Sequence, residues 1–202
     1  MAYLKNPLIA DAGAAFEAAT SARFLDAIRE GSLPDEALDR WLVQDRIFAG
    51  DLFRFQSILL AKAPEAARAP ILNGLVAIDL ELSWFKGLQA QRGLEDAPPH
   101  PVCERYTDFM MRAAYSESYQ SLIQILFGIE VTYLHAWTKL KDSGDLPGGI
   151  HEELIVRWSN DIFRDYVEKL AQLTRRHRAE DDRGFRRVLD LERDFWRMTW
   201  EG

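Results

Sequence analysis

The sequence predicts an all-α fold, a compact bundle of about seven helices around an internal pocket. Long stretches run without glycine or proline, apolar residues recur at intervals of three and four, and the interruptions are short and rich in Pro, Gly and Asp. At 202 residues the chain fits one domain, residues 1–202, large enough to bury a core without disulfides or a structural metal.

The first segment covers about 8–30 and stops at "REGSLPDEA", where Pro34 and Asp35 can open the next helix, about 35–62. "KAPEAARAP" separates that helix from a third at about 66–92, and "GLEDAPPHP" leads into a fourth at about 101–116. The fifth, about 118–141, holds "LIQILFGIEVTYLHAW", whose only charged residue is Glu130. After "KDSGDLPGGI" come a sixth segment at about 149–178 and a seventh at about 182–200. Neither an internal repeat nor a low-complexity tract interrupts the pattern.

A formal charge of −7 and a pI near 5.2 argue against nucleic acid as a partner, because phosphate binding needs a basic face. The one basic run, "RRHR" at 175–178, is followed at once by "AEDDR" and reads as a solvated surface. Cys103 is the sole cysteine, which leaves no intrachain disulfide or cysteine-based zinc site and fits a reducing compartment. The N-terminus lacks a basic leader followed by an apolar run, and no window is long and apolar enough to span a bilayer. The expected location is cytoplasmic, with no membrane partner.

Acidic residues sit on faces that should be buried. Projected at 3.6 residues per turn, Trp41, Phe48, Leu52, Phe55 and Leu59 form a stripe with Asp45 at its centre. In the last helix Glu192 falls with Phe185, Val188, Leu189, Phe195 and Trp196, opposite a face of Arg186, Arg187, Arg193 and Arg197. Glu81 lies near Phe85, Leu88 and Gly74, and Glu130 is one helical step from Tyr133. An unpaired buried carboxylate costs several kcal/mol, against a net domain stability of about 5–15 kcal/mol. One such group is most simply a paired structural residue; four on separate inward faces favour a shared polar pocket. The aromatics at helical spacing are core residues on the simplest reading, while Tyr106 and Tyr133 carry hydroxyls that can orient a carboxylate or a ligand.

The segments "FLDAIREGSLPDEALDRWLVQDRIF", "LAKAP", "LELSWFK", "RYTDFM", "FGIEVTYLHAW", "RWSNDIFRDY" and "VLDLERDFWRM", in this order, resemble the TenA/thiaminase II family over nearly the whole chain. The resemblance implies a heme-oxygenase-like helical bundle with a deep pocket for an aminopyrimidine, and a homodimer or homotetramer. It also implies that Asp45 pairs with the aminopyrimidine edge, that Glu192 is the acid/base glutamate, and that Tyr106 and Tyr133 are pocket tyrosines. The family's cysteine nucleophile aligns with Ile129, one pocket tyrosine with Phe48 and another with Ile155. Neither Ser nor Thr replaces the thiol, so covalent cleavage of thiamin is not expected. The remaining pattern resembles the glutamate class of TenA proteins, linked to salvage of thiamin-breakdown pyrimidines.

The expected activity is hydrolysis of 4-amino-5-aminomethyl-2-methylpyrimidine, or its N-formyl derivative, at the substituent on C5. Asp45 would read the ring, Glu192 and Glu130 would divide the acid and base roles, and Phe48, Phe55 or Trp196 would stack on the ring. Glu81 would bind the side-chain amine or support the others. No cofactor or metal is expected, since none of His100, His135, His151 and His177 stands three residues after a glutamate, as di-iron bundles require. A carboxylate-metal oxygenase and a non-catalytic pyrimidine-binding or regulatory protein are the competing readings. The offset strip of Val43, Ile47 and Ile58 suits either a subunit contact or a neighbouring helix of the same chain.

Overall fold

A computed structural model describes residues 1–202 and contains no strand. After a 3-10 turn at Tyr3–Lys5, ten α-helices follow: α1 (Pro7–Ala12), α2 (Ala14–Ala19), α3 (Arg23–Glu30), α4 (Asp35–Lys62), α5 (Glu65–Arg92), α6 (Pro101–Ser116), α7 (Tyr119–Asp142), α8 (Gly149–Trp158), α9 (Asp161–Arg176) and α10 (Arg183–Glu201).

Two of the seven expected segments are subdivided. The first breaks at Gly13, where φ is +48°, a conformation that side chains resist, and again at Thr20–Ala22. There the Thr20 hydroxyl donates to the Phe16 carbonyl at 3.0 Å and Ala22 is fully extended, with φ −160° and ψ 153°. The sixth segment breaks at Ser159–Asn160. Ser159 returns its hydroxyl to the Ile155 carbonyl, and the Asn160 side chain accepts from Phe163 N at 2.9 Å, capping a new helix. That cap redirects α9 and places both its first turn and the end of α8 beside the site.

Helices α4 and α5 form an antiparallel hairpin joined through Ala63 and Pro64, and Gln56 of α4 donates to the Ile71 carbonyl of α5 at 2.7 Å. Helix α7 is the central rod, packed by α10, α9, α8, α4 and α3. From Leu122 to Thr138 only Tyr133 and His135 reach partial exposure, which explains why this helix is apolar on every side. Each large side chain it buries contributes about 1.5–3 kcal/mol. Helix α10 crosses α2, α3, α4, α6 and α7, so Glu192 is carried into the centre.

Arg175, Arg176 and Arg178 are exposed, and no helix is long and apolar enough to cross a membrane. Within the offset strip, Val43 is buried, and Ile47 and Ile58 pack against the chain's own core. Exposed apolar side chains lie elsewhere: Leu72, Val76 and Leu80 form a row along α5, joined by Val156 on α8 and Ile162 on α9.

Candidate active site

A cavity of about 750 Å³ opens between α5 and the α8–α9 junction and runs inward to α4, α6, α7 and α10. Asp45, Glu81, Glu130 and Glu192 all line it, as do Phe48, Tyr106 and Tyr133. Of the side chains singled out in the sequence, Trp196 and Phe55 do not reach it. Trp196 is fully buried behind Tyr133, stacked on it with centroids 5.6 Å apart and planes 16° from parallel, so it supports a pocket wall instead of touching a ligand. Phe55 is wholly core.

Three of the four carboxyls are held by donors on other helices. Tyr133 donates to Asp45 Oδ2 at 2.8 Å, Tyr106 to Glu192 Oε1 at 2.6 Å, and the Trp158 indole to Glu81 Oε1 at 2.7 Å. Nothing in the protein hydrogen-bonds Glu130. Burial first, and then the charges of Glu81 and Glu192, push its carboxyl up to about 8. Burial also raises Glu192 to about 8, against the lowering effect of the Tyr106 hydroxyl. Glu81 rises to about 7, again through burial, with the Trp158 hydrogen bond and the Arg157 charge pulling it back. Asp45 is lifted well above its usual range by burial and by neighbouring Glu81.

The cavity is therefore an acidic box whose lining also carries two cations, Lys169 and Arg157, the latter with its guanidinium 4.1 Å from the centroid of the Trp84 ring and 3.8 Å from Glu153. Such a box favours a ligand that brings positive charge or N–H donors. The carboxyls do not converge on a point: no three His, Cys, Asp or Glu side chains are grouped closely enough to share a metal ion.

Ile129 lines the cavity where the resemblance places a thiol. Cys103 does not line it; buried against Gln44, with its thiol pushed up to about 12 by burial, it is a poor nucleophile. Ile155 is buried and does not line the cavity, whereas Trp158, three residues on, does. Sequence reasoning missed Trp158, Tyr166 and Phe195 as lining residues. For Trp158 a signal existed: the Ser-Asn-Asp that follows it is an N-cap pattern, and recognising it would have ended α8 there.

Residues 17–202 match the model of the TENA/THI-4/PQQC family. The chain belongs to this family. It is 25% identical over 200 residues to a Glycine max protein named "Probable bifunctional TENA-E protein", with 91% of this chain and 87% of that one covered. Among solved structures, a TenA homologue from Pyrococcus furiosus superposes with a TM-score of 0.89 at 21% identity, covering 98% of this chain and all of that one (100%). A protein from Silicibacter sp. TM1040 described as a TenA family transcription regulator gives 0.86 at 20% identity, covering 96% and 95%. A TenA-like protein from Sulfolobus solfataricus, named as a candidate thiaminase, gives 0.83 at 18% identity, covering 95% and 93%. At these identities the structural neighbours establish the TenA fold.

Proposed function

We propose that the protein is an aminopyrimidine hydrolase of thiamin salvage, acting on 4-amino-5-aminomethyl-2-methylpyrimidine or its N-formyl derivative by carboxylate acid/base catalysis. The observation that carries this reading is the set of four carboxyls in one cavity, of which Asp45 and Glu192 are each fixed by a tyrosine while Glu130 has no protein partner. A ring with an exocyclic amine and a basic side chain supplies N–H donors and positive charge to the four carboxyls, of which Glu130 has no protein partner.

Asp45 has one oxygen occupied by Tyr133 and the other free for the ring. Burial and neighbouring Glu81 raise its pKa, which favours the protonated carboxyl, a form that can accept from the exocyclic amine and share its proton with the adjacent ring nitrogen. Phe48, inclined against Tyr106 at 4.7 Å, offers an aromatic face beside that position. Glu81, which lines the same cavity and is near enough for its charge to act on Asp45, suits a protonated side-chain amine.

In hydrolysis at the methylene carbon, water's oxygen bonds to carbon as the carbon–nitrogen bond breaks. One carboxylate takes a proton from the water and a second carboxyl delivers one to the departing amine, which gives the hydroxymethyl pyrimidine and ammonia. With the N-formyl derivative the water adds to the formyl carbon, releasing formate and the amine. The surroundings distinguish the two glutamates although both are raised to about 8. On geometry alone we assign the base role to Glu192, whose ionised form can accept from the Tyr106 hydroxyl, and the acid role to Glu130, which has no hydrogen-bond partner in the protein.

Ammonia release from the aminomethyl pyrimidine, measured beside thiamin, tests the reading. The expected result is turnover of the pyrimidine and none of thiamin, since no thiol faces the cavity. Binding of the pyrimidine without turnover would instead support the non-catalytic alternative, to which the Silicibacter neighbour's description as a transcription regulator lends weight. We further propose a homodimer or homotetramer, for which the Leu72, Val76 and Leu80 row is an unpartnered apolar face.

A further inference from the structure

Of the eight large apolar side chains that the fold leaves exposed, five gather in one place. Leu72, Val76 and Leu80 repeat every four residues along the outer face of α5, and Val156 and Ile162 stand beside them on α8 and α9. Leu80, Val156 and Ile162 also line the cavity, so this apolar patch is continuous with the rim of its mouth. Ile162 is the most exposed of them, at 85%. Apolar side chains clustered at a rim mark a surface that is covered in use.

The α5 face is complementary to itself. When two α5 helices pack antiparallel about a two-fold axis at Val76, Leu72 of each copy comes level with Leu80 of the other, and Val76 meets Val76. The other exposed positions on this face, Ala69, Asn73, Ala77 and Ser83, are small and uncharged. In the same register Glu65 comes within one residue of Lys86 on the second copy, which makes two ion pairs by symmetry. Both side chains are exposed and neither is ion-paired within its own chain. Arg68, the other charge near that end, turns its guanidinium back to the Ala63 carbonyl at 3.2 Å.

From Glu65 to Lys86 the strip runs about 32 Å. A stable interface buries about 800 Å² on each partner, so this one must be about 25 Å wide, roughly twice the width of a helix. Helical spacing puts Asp79 and Lys86 on one flank of α5, while the other flank continues into Val156 and Ile162. The second copy therefore spreads toward α8 and α9, across the mouth.

We propose that a second copy of this chain docks α5 against α5 in this register and roofs the cavity, so that the site is closed only in the oligomer. This pairing rests on the homo-oligomer reading above and holds whichever pyrimidine the cavity takes. A roof of apolar side chains keeps water from the mouth and strengthens the charge interactions inside.

Light scattering of the full chain gives the first test. The wild type is expected as a dimer or tetramer. Val76→Glu, which sets two carboxylates against each other at the axis, should at least halve that mass yet melt like the wild type, because Val76 is exposed. Glu65→Lys should loosen the oligomer, and adding Lys86→Glu should restore it. Mild oxidation of Val76→Cys should link two copies by a disulfide, the native Cys103 being buried. The roof is read by iodoacetamide alkylation of Ile129→Cys, at a position lining the cavity, which should run roughly tenfold faster when Val76→Glu is added. A monomeric wild type would overturn the oligomer reading and this pairing together. An oligomer that survives Val76→Glu, or that forms no Val76→Cys disulfide, would overturn the pairing alone, and equal alkylation rates would overturn the roof. None of these results bears on the aminopyrimidine reading.

Discussion

Glu192→Gln is expected to lower turnover of the aminomethyl pyrimidine by about 10²–10⁴-fold while leaving the fold intact. The amide oxygen of glutamine can still accept from Tyr106, whose hydroxyl lies 2.6 Å from Glu192 Oε1, so the link between α6 and α10 survives. The variant loses only the ability to take up and release a proton. The measurement is ammonia release under saturating substrate, paired with thermal melting. Undiminished turnover in a variant that melts like the wild type would remove Glu192 from the chemistry and leave Glu130 as the remaining candidate for the base.

The second large effect is on stability, and it has the opposite direction. Glu130 ionises near 4.5 in an unfolded chain and at about 8 in the folded one. Below the lower value both states carry the proton and burial is not penalised. Between the two, the folded state retains a proton that the unfolded state has released, so stability falls as pH rises; above about 8 the loss is complete and levels off. Glu130→Gln removes this contribution. The variant should match the wild type near pH 5 and exceed it near pH 9 by an amount on the order of 2–4 kcal/mol, read from denaturant unfolding at the two pH values. Equal stability at pH 9, or an equal gain at both pH values, would mean that Glu130 is paired in solution in a way the cavity does not show. Glu192 and Glu81 add slopes of the same sign to the wild type.

Much of this arrangement was legible beforehand because helical periodicity makes a misplaced charge conspicuous. Asp45 in the stripe of Trp41, Phe48 and Leu52, and Glu192 among the apolar residues of α10, declared their direction by spacing alone, and both line the cavity. Glu130 stood out for a different reason: α7 is buried on every side, so any charge on it must be internal. Reach was harder to read than face. Trp196 shares a face with Glu192, yet the Tyr133 ring lies between it and the cavity, a matter of depth that one-dimensional spacing does not encode. Tyr166 was missed as a lining residue because the space its ring fills is left by Gly74, on another helix. The division of the sixth segment went unseen because Ser159 and Asn160 end a helix by side-chain capping, without the glycine or proline that marked the breaks between segments; the division of the first did carry a glycine, Gly13, and was passed over.

The wall that Trp158 shares with Trp84 and Trp137 joins indoles whose centroids are 5.3 and 5.5 Å from it, and Trp158 itself touches both Glu81 and the cavity. Light absorbed anywhere in that cluster can pass between rings and be quenched or released according to whether the carboxyl beside Trp158 is charged. A ligand that changes the charge on Glu81 is therefore expected to change the intrinsic emission of the protein, an unlabelled gauge of what enters.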